Sequence, residues 1–242
     1  MPWLLAASAV AFTLVLLLPH HGGLASLVAT ARHKGVMAAL VTLSEPTMVW
    51  RTVLDWGLMV IGMMTPLLSM PLAYVRFSCA PEAQTGAGAA FLLAYLGCWW
   101  GAAALFVPAL LVLASVTLNA TTLGLAFALG LTWSASPWAQ AARNRCHRTV
   151  RIGGLPPQAY RDGARQGLQT VSGCILACWP WMLVPMLSHH GHVILMVVAT
   201  LYLFAERIAP HSAPSWRTPP ALESIFGPDR LVRLSRRVRT GA

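Results

Sequence analysis

From Gly88 to Val116 the chain carries no charged side chain. Few folds accept a run of that length. It is too long and too unalternating for a barrel strand. A helix satisfies its own backbone hydrogen bonds, as any segment surrounded by lipid must. About 20 apolar residues cross the hydrocarbon layer, so this run crosses with length to spare for tilt. The remaining chain agrees: of 242 residues, 57% are hydrophobic and 10% charged, with mean hydropathy +0.62. Soluble domains carry about 25% charged residues. The expected fold is all-α, a polytopic transmembrane helix bundle of about six spans.

The expected helices are Pro2–Leu18, Val53–Val75, Gly88–Val116, Leu118–Trp133, Leu168–Leu187 and Val193–Ala209. Pro66 and Pro71 interrupt the second, Pro108 the third, and Pro180 and Pro185 the fifth, while Pro210 ends the last. The first run has no Lys or Arg before it and no small-residue cleavage site after it, so it reads as a retained helix and not a signal peptide. Leu24–Leu43 is apolar but broken by Arg32, His33 and Lys34, which suits an interfacial amphipathic segment. Three parts follow: residues 1–52, an N-terminal helix and interfacial segment; 53–210, the transmembrane bundle; and 211–242, a basic tail.

The formal net charge is +10. The excess collects in two places. The loop 134–166 holds Arg143, Arg145, Arg148, Arg151, Arg161 and Arg165, and the tail after Pro210 holds six more arginines. Arginine-rich loops stay on the cytoplasmic side, so both face the cytoplasm of a bacterial inner membrane crossed several times. These basic segments lack stacking aromatics, which argues against a nucleic-acid partner. The basic tail from Leu231 to Thr240 is expected to rest on anionic headgroups. An even helix count puts the N-terminus inside as well. His20, His21, His189, His190 and His192 then share the outer face, a pattern associated with metal capture. Arg32, Lys34 and Arg51 also fall outside, against the rule.

Chemistry concentrates in the fifth helix. Cys174 and Cys178 are spaced i,i+4 and so share a face. Five cysteines, at least three of them in apolar segments, do not make a secreted disulfide framework. The second helix offers Met59, Met63 and Met64. Met59, Met63 and Met70 follow i, i+4, i+11 and share a face with Pro66. Thiolates with thioethers form the soft donor set that selects Cu(I). Cys146 and His147 stand in the basic loop, where they can pass a metal to or from the cysteine pair. Cys98 either approaches Cys178 or packs. Glu206, ionisable at membrane depth, is either a metal ligand or the partner of Arg207 or of a loop arginine. Asp55 reads as an interfacial cap. No catalytic motif appears, so no enzyme is expected.

The order of these motifs resembles a bacterial family of predicted metal-binding integral membrane proteins of unknown function. Trp56, Met59, Met63, Met64 and Pro66 resemble its Trp-x-x-Met-x-Ala-Met-Met-x-Pro signature, with Gly62 where alanine is usual. Tyr95-Leu96 and the following Trp99 resemble its Gly-Tyr-Leu-x-x-Trp segment. Cys174, Cys178 and Trp179 resemble its Cys-x-x-x-Cys-Trp helix, and Glu206, Arg207 and Pro210 its Glu-Lys/Arg-x-x-Pro ending. The likeness covers roughly residues 53–210. The family's second Cys-x-x-x-Cys, before the fifth helix, is incomplete here: Cys146 fits its second position and Ala142 occupies the first. The resemblance implies metal binding. Together with the residues it gives an expected role as a membrane-embedded soft-metal protein, with copper as the metal, acting as a chaperone or delivery factor beside a larger membrane complex or metalloenzyme. Two other roles remain open: a non-catalytic accessory subunit with structural cysteines, and a small transporter.

Overall fold

The computed structural model describes residues 2–17, 23–116, 120–188 and 191–226. All regular structure within them is helical: α1 (Pro2–Leu17), α2 (Gly23–Lys34), α3 (Val36–Leu43), α4 (Pro46–Met64), α5 (Ser69–Phe77), α6 (Pro81–Val116), α7 (Ala120–Ala135), α8 (Pro137–Cys146), α9 (Gln158–Met186), α10 (His192–Ile208) and α11 (Pro220–Phe226). A single 3-10 turn, Pro66–Leu68, joins α4 to α5. The all-α expectation stands.

The count of about six spans does not follow from these helices. Among the described residues two helices, α6 and α9, are long and apolar enough to cross a membrane. A third span exists if α4 and α5, bent by 48°, are taken as one broken crossing. Helices α1, α7 and α10 have 16, 16 and 17 residues. At 1.5 Å per residue each is about 24–26 Å long, short of a hydrocarbon layer about 30 Å thick. Apolar composition marks where a span is permitted but not where the helix stops.

Two further differences have local causes. The segment 134–166 is not all loop. Ser136 caps α8 by accepting from the Ala139 N–H at 3.2 Å, with Pro137 in the first turn, a start signal visible in sequence. Helix α9 begins ten residues earlier than its apolar run. Its first turns carry the polar Asp162 and Gln166, which hold the preceding loop. The Val150 N–H donates to Gln166 Oε1 at 2.6 Å, and the Gly153 N–H donates to Asp162 Oδ2 at 3.0 Å. Residues 24–50 form α2, α3 and the first turn of α4, with α2 and α3 separated at Gly35, whose φ of +87° favours glycine.

Close approach of backbones sets the packing. Helix α6 lies along α9 at Gly163 and Gly167. A Cβ there would sit 2.5 Å from the carbonyl oxygens of Ala87 and Phe91 respectively. Small residues four apart let two helices touch in this way. Helix α8 meets α9 at Gly173, whose Cβ would lie 2.8 Å from both Ala142 O and Cys146 Sγ.

Prolines remove a helical donor in two places, breaking the helix at Pro66 and leaving α9 continuous at Pro180, and other helices supply the missing donor. Pro66 has no N–H for the Gly62 carbonyl four residues back; Ser8 Oγ of α1 donates to that oxygen at 2.6 Å. Pro180 leaves the Leu176 carbonyl without its helical donor, and Trp133 Nε1 of α7 supplies one at 2.8 Å. Each freed carbonyl therefore ties in a neighbouring helix. The arginine-rich segment lies at one end, where α6 and α9 begin and α10 ends: Ala80 N–H donates to Gly154 O, and Arg207 to Cys146 O. Asp55 lies at the other end, accepting from the Leu24 N–H at the start of α2. His20, His21, His189, His190 and the tail beyond Phe226 fall outside the described residues.

Candidate metal site

The cysteine pair points inward. Cys174 and Cys178 are each 3% exposed, and their sulfurs are 3.6 Å apart. Met64, the last residue of α4 before the Pro66 break, holds its sulfur 3.7 Å from Cys174 Sγ. From α6, the Tyr95 hydroxyl donates to Cys174 Sγ at 3.1 Å. Three sulfurs and a phenol thus meet from three helices, at the bend of a broken one.

The spacing suits one ion. A metal–thiolate bond is about 2.3 Å, so two sulfurs on one ion stand about 3.8–4.0 Å apart in tetrahedral or trigonal geometry and about 4.6 Å apart in a linear one. The separations of 3.6 and 3.7 Å need only a few tenths of an ångström of opening for the first two. Beside the pair is a cavity of about 20 Å³ lined by Cys146, Arg143, Glu206 and Arg207 as well, room for one small species. Among the described residues no three His, Cys, Asp or Glu side chains gather. The donor set is therefore two thiols and a thioether, which is soft throughout.

The sequence profile of the PpoB2 family, described as a copper chaperone, matches residues 53–227. The chain belongs to this family. No curated protein and no solved structure matches it. The PpoB2 description specifies copper where the resemblance implied only a metal. The matched region takes in the broken α4–α5 helix, the α6–α9 pair and the end of α10.

The other residues singled out in this PpoB2 chain fall in different places. Met59 and Met63 are fully buried in the core, and it is Met64 that sets its sulfur against Cys174. Met70 is 76% exposed. The i, i+4, i+11 stripe assumes an unbroken helix, and the 3-10 turn after Thr65 changes the phase. Cys146 is buried on α8, donates to Thr170 O at 3.8 Å, and lines the same small cavity as the pair. Burial pushes its thiol up to about 12. His147, the next residue, is exposed and lines a larger cavity outside. Cys98 is half-buried and lines neither cavity.

Glu206 forms a buried ion pair, its Oε2 2.5 Å from Arg143 Nη1, and its Oε1 accepts from the Ala221 N–H at 2.9 Å. Arg143 also donates to Ser134 O and Gln140 Oε1. The pair ties α8, α10 and α11 together beside the sulfurs. Sequence reasoning missed three residues of the site. Tyr95 carried a signal, because a tyrosine deep in an apolar helix needs a partner for its hydroxyl. Arg143 and Arg207 stand out in sequence only as candidate partners of Glu206, a loop arginine and its own neighbour, and the pairing falls to Arg143.

Proposed function

We propose that this chain is a membrane-embedded Cu(I) chaperone that holds one ion on Cys174, Cys178 and Met64 and delivers it to a metalloenzyme or larger membrane complex. The observation that carries this reading is the buried cluster of three sulfurs at 3.6–3.7 Å in a member of a copper-chaperone family. Loading removes two thiol protons and leaves a cuprous dithiolate with one net negative charge. Arg207 lines the same cavity and offsets it. The Tyr95 hydroxyl, already donating to Cys174, makes a stronger hydrogen bond to a charged sulfur. Cys146 and His147 lead outward toward the arginine-rich end, and Glu206 serves as a clamp on Arg143.

Membrane embedding is supported by the outward faces of the long helices. On α6, Leu93 and Leu105 are 74% and 72% exposed, and apolar surface of this kind needs lipid or a partner to cover it. The arginine-rich end then faces the cytoplasm of an inner membrane. A Cu(I) competition titration against a chromogenic chelator tests the reading. The purified parent should bind one equivalent, and the Cys174→Ser/Cys178→Ser double variant should bind more than tenfold more weakly. Equal competition by a folded double variant would sink the assignment.

A further inference from the structure

Outside the sulfur cluster, toward the arginine-rich end, is a second, open cavity of about 330 Å³. That is the lower end of the range that accepts small organic ligands. It lies between the α4–α5 bend, the segment after α8 and the end of α10. It meets the small cavity at the cysteine pair at three shared side chains, Leu67, Cys146 and Arg207. Exposed residues form its mouth: Met70, His147 and Arg148.

The charge of this lining is informative. It contains two guanidiniums, Arg148 and Arg207, and no carboxylate. Charges interact more strongly at a protein surface than in bulk water. A bare cuprous ion is therefore repelled here, whereas a Cu(I) bis-thiolate complex, which is an anion, is drawn in. The same lining offers copper donors in series: Met70 and His147 at the mouth, Cys146 on the shared wall, and then the pair.

We infer that this cavity is the port where copper is exchanged, and that it takes the metal as an anionic complex of a small thiol and not as a free cation. The inference rests on the reading of Cys174 and Cys178 as the copper site. The exchange is balanced without an oxidant. Two bonds from copper to the carrier sulfurs break, and two bonds to Cys174 and Cys178 form. The two cysteine protons leave on the departing thiolates as neutral thiols. Copper stays Cu(I), and the single negative charge passes from carrier complex to site. Arg207 lines both cavities, so the anion meets a cation on either side of the wall.

The test follows loading of the full chain by stopped flow, using the thiolate-to-copper absorption in the ultraviolet. Copper is supplied either as its anionic glutathione complex or as the cationic acetonitrile complex. With the glutathione complex the parent should load more slowly as salt rises. Arg148→Gln should slow that loading about fivefold at low salt, one surface charge being worth about 1 kcal/mol. Its loading from the acetonitrile complex should be unchanged or faster. Arg51→Gln removes an equal charge at the opposite end and should load like the parent. The port is refuted if Arg148→Gln behaves like Arg51→Gln with both carriers, or slows both alike. If the Cys174→Ser/Cys178→Ser variant gives the parent's absorption, the copper site itself is wrong and the port falls with it.

Discussion

Replacing Met64 by leucine isolates the contribution of the third sulfur. The volume hardly changes, and Leu–Met exchanges in cores usually alter stability by less than about 1.5 kcal/mol. What is lost is a donor 3.7 Å from Cys174. Two thiolates can still hold Cu(I), but a linear pair requires about 4.6 Å between sulfurs at about 2.3 Å per bond. The structure provides 3.6 Å, on adjacent turns of a helix packed on α6 and α8. Opening that gap by about 1 Å strains a close-packed interior, and a strained side-chain torsion alone is worth about 0.5–1.5 kcal/mol. Adding the lost bond gives a weakening of roughly 10- to 100-fold, since 1.4 kcal/mol is tenfold. Competition against a chromogenic Cu(I) chelator reads the affinity, and X-ray absorption reads the coordination number. The parent should show three sulfurs and Met64→Leu two. Two sulfurs in both proteins with equal affinity would refute the three-sulfur site while leaving the cysteine pair intact.

Other predictions concern the scaffold. Tyr95→Phe keeps the ring stacked on Phe91 and removes one hydrogen bond to a charged sulfur, so Cu(I) affinity should fall about tenfold with no change in coordination number by X-ray absorption. Gly167→Ala places a Cβ 2.5 Å from the Phe91 carbonyl; stability should drop by about 1–3 kcal/mol, read as a lower melting temperature in detergent, and an unchanged melt would contradict the close α6–α9 contact. Glu206→Gln leaves the buried Arg143 unpaired and should destabilise by about 3 kcal/mol in a denaturant titration. The Cys146 thiol, pushed up to about 12 by burial, keeps a proton that the unfolded chain gives up near pH 9. Its contribution is therefore whole below pH 9 and lost as pH rises toward 12, so Cys146→Ala should lose less stability than the parent between pH 8 and pH 11.

Local spacing alone determined a good part of this protein. An i,i+4 pair inside one helix must share a face whatever surrounds it, so the approach of Cys174 to Cys178 was legible. The all-helical class followed equally from uncharged runs that only a helix can carry through lipid. The capped start of α8 at Ser136 and Pro137 was written locally too, though hidden in a segment too polar to look like a helix. Tertiary structure alone decided which methionine joins the pair. Met59, Met63 and Met64 are equivalent soft donors in sequence, and the bend at Pro66 together with the packing of α6 on α9 presents Met64. It also decided that Tyr95 points at Cys174, that Glu206 belongs to Arg143, and that Cys146 and Arg207 stand between two cavities. Each of these joins residues tens of positions apart, and no hydropathy window or motif spacing reports such contacts. Span number does not follow from those runs, for a related reason. Apolar runs show what lipid would accept, but helix ends are set by prolines, caps and the donors other helices supply, as Ser8 does for Gly62 near the end of α4.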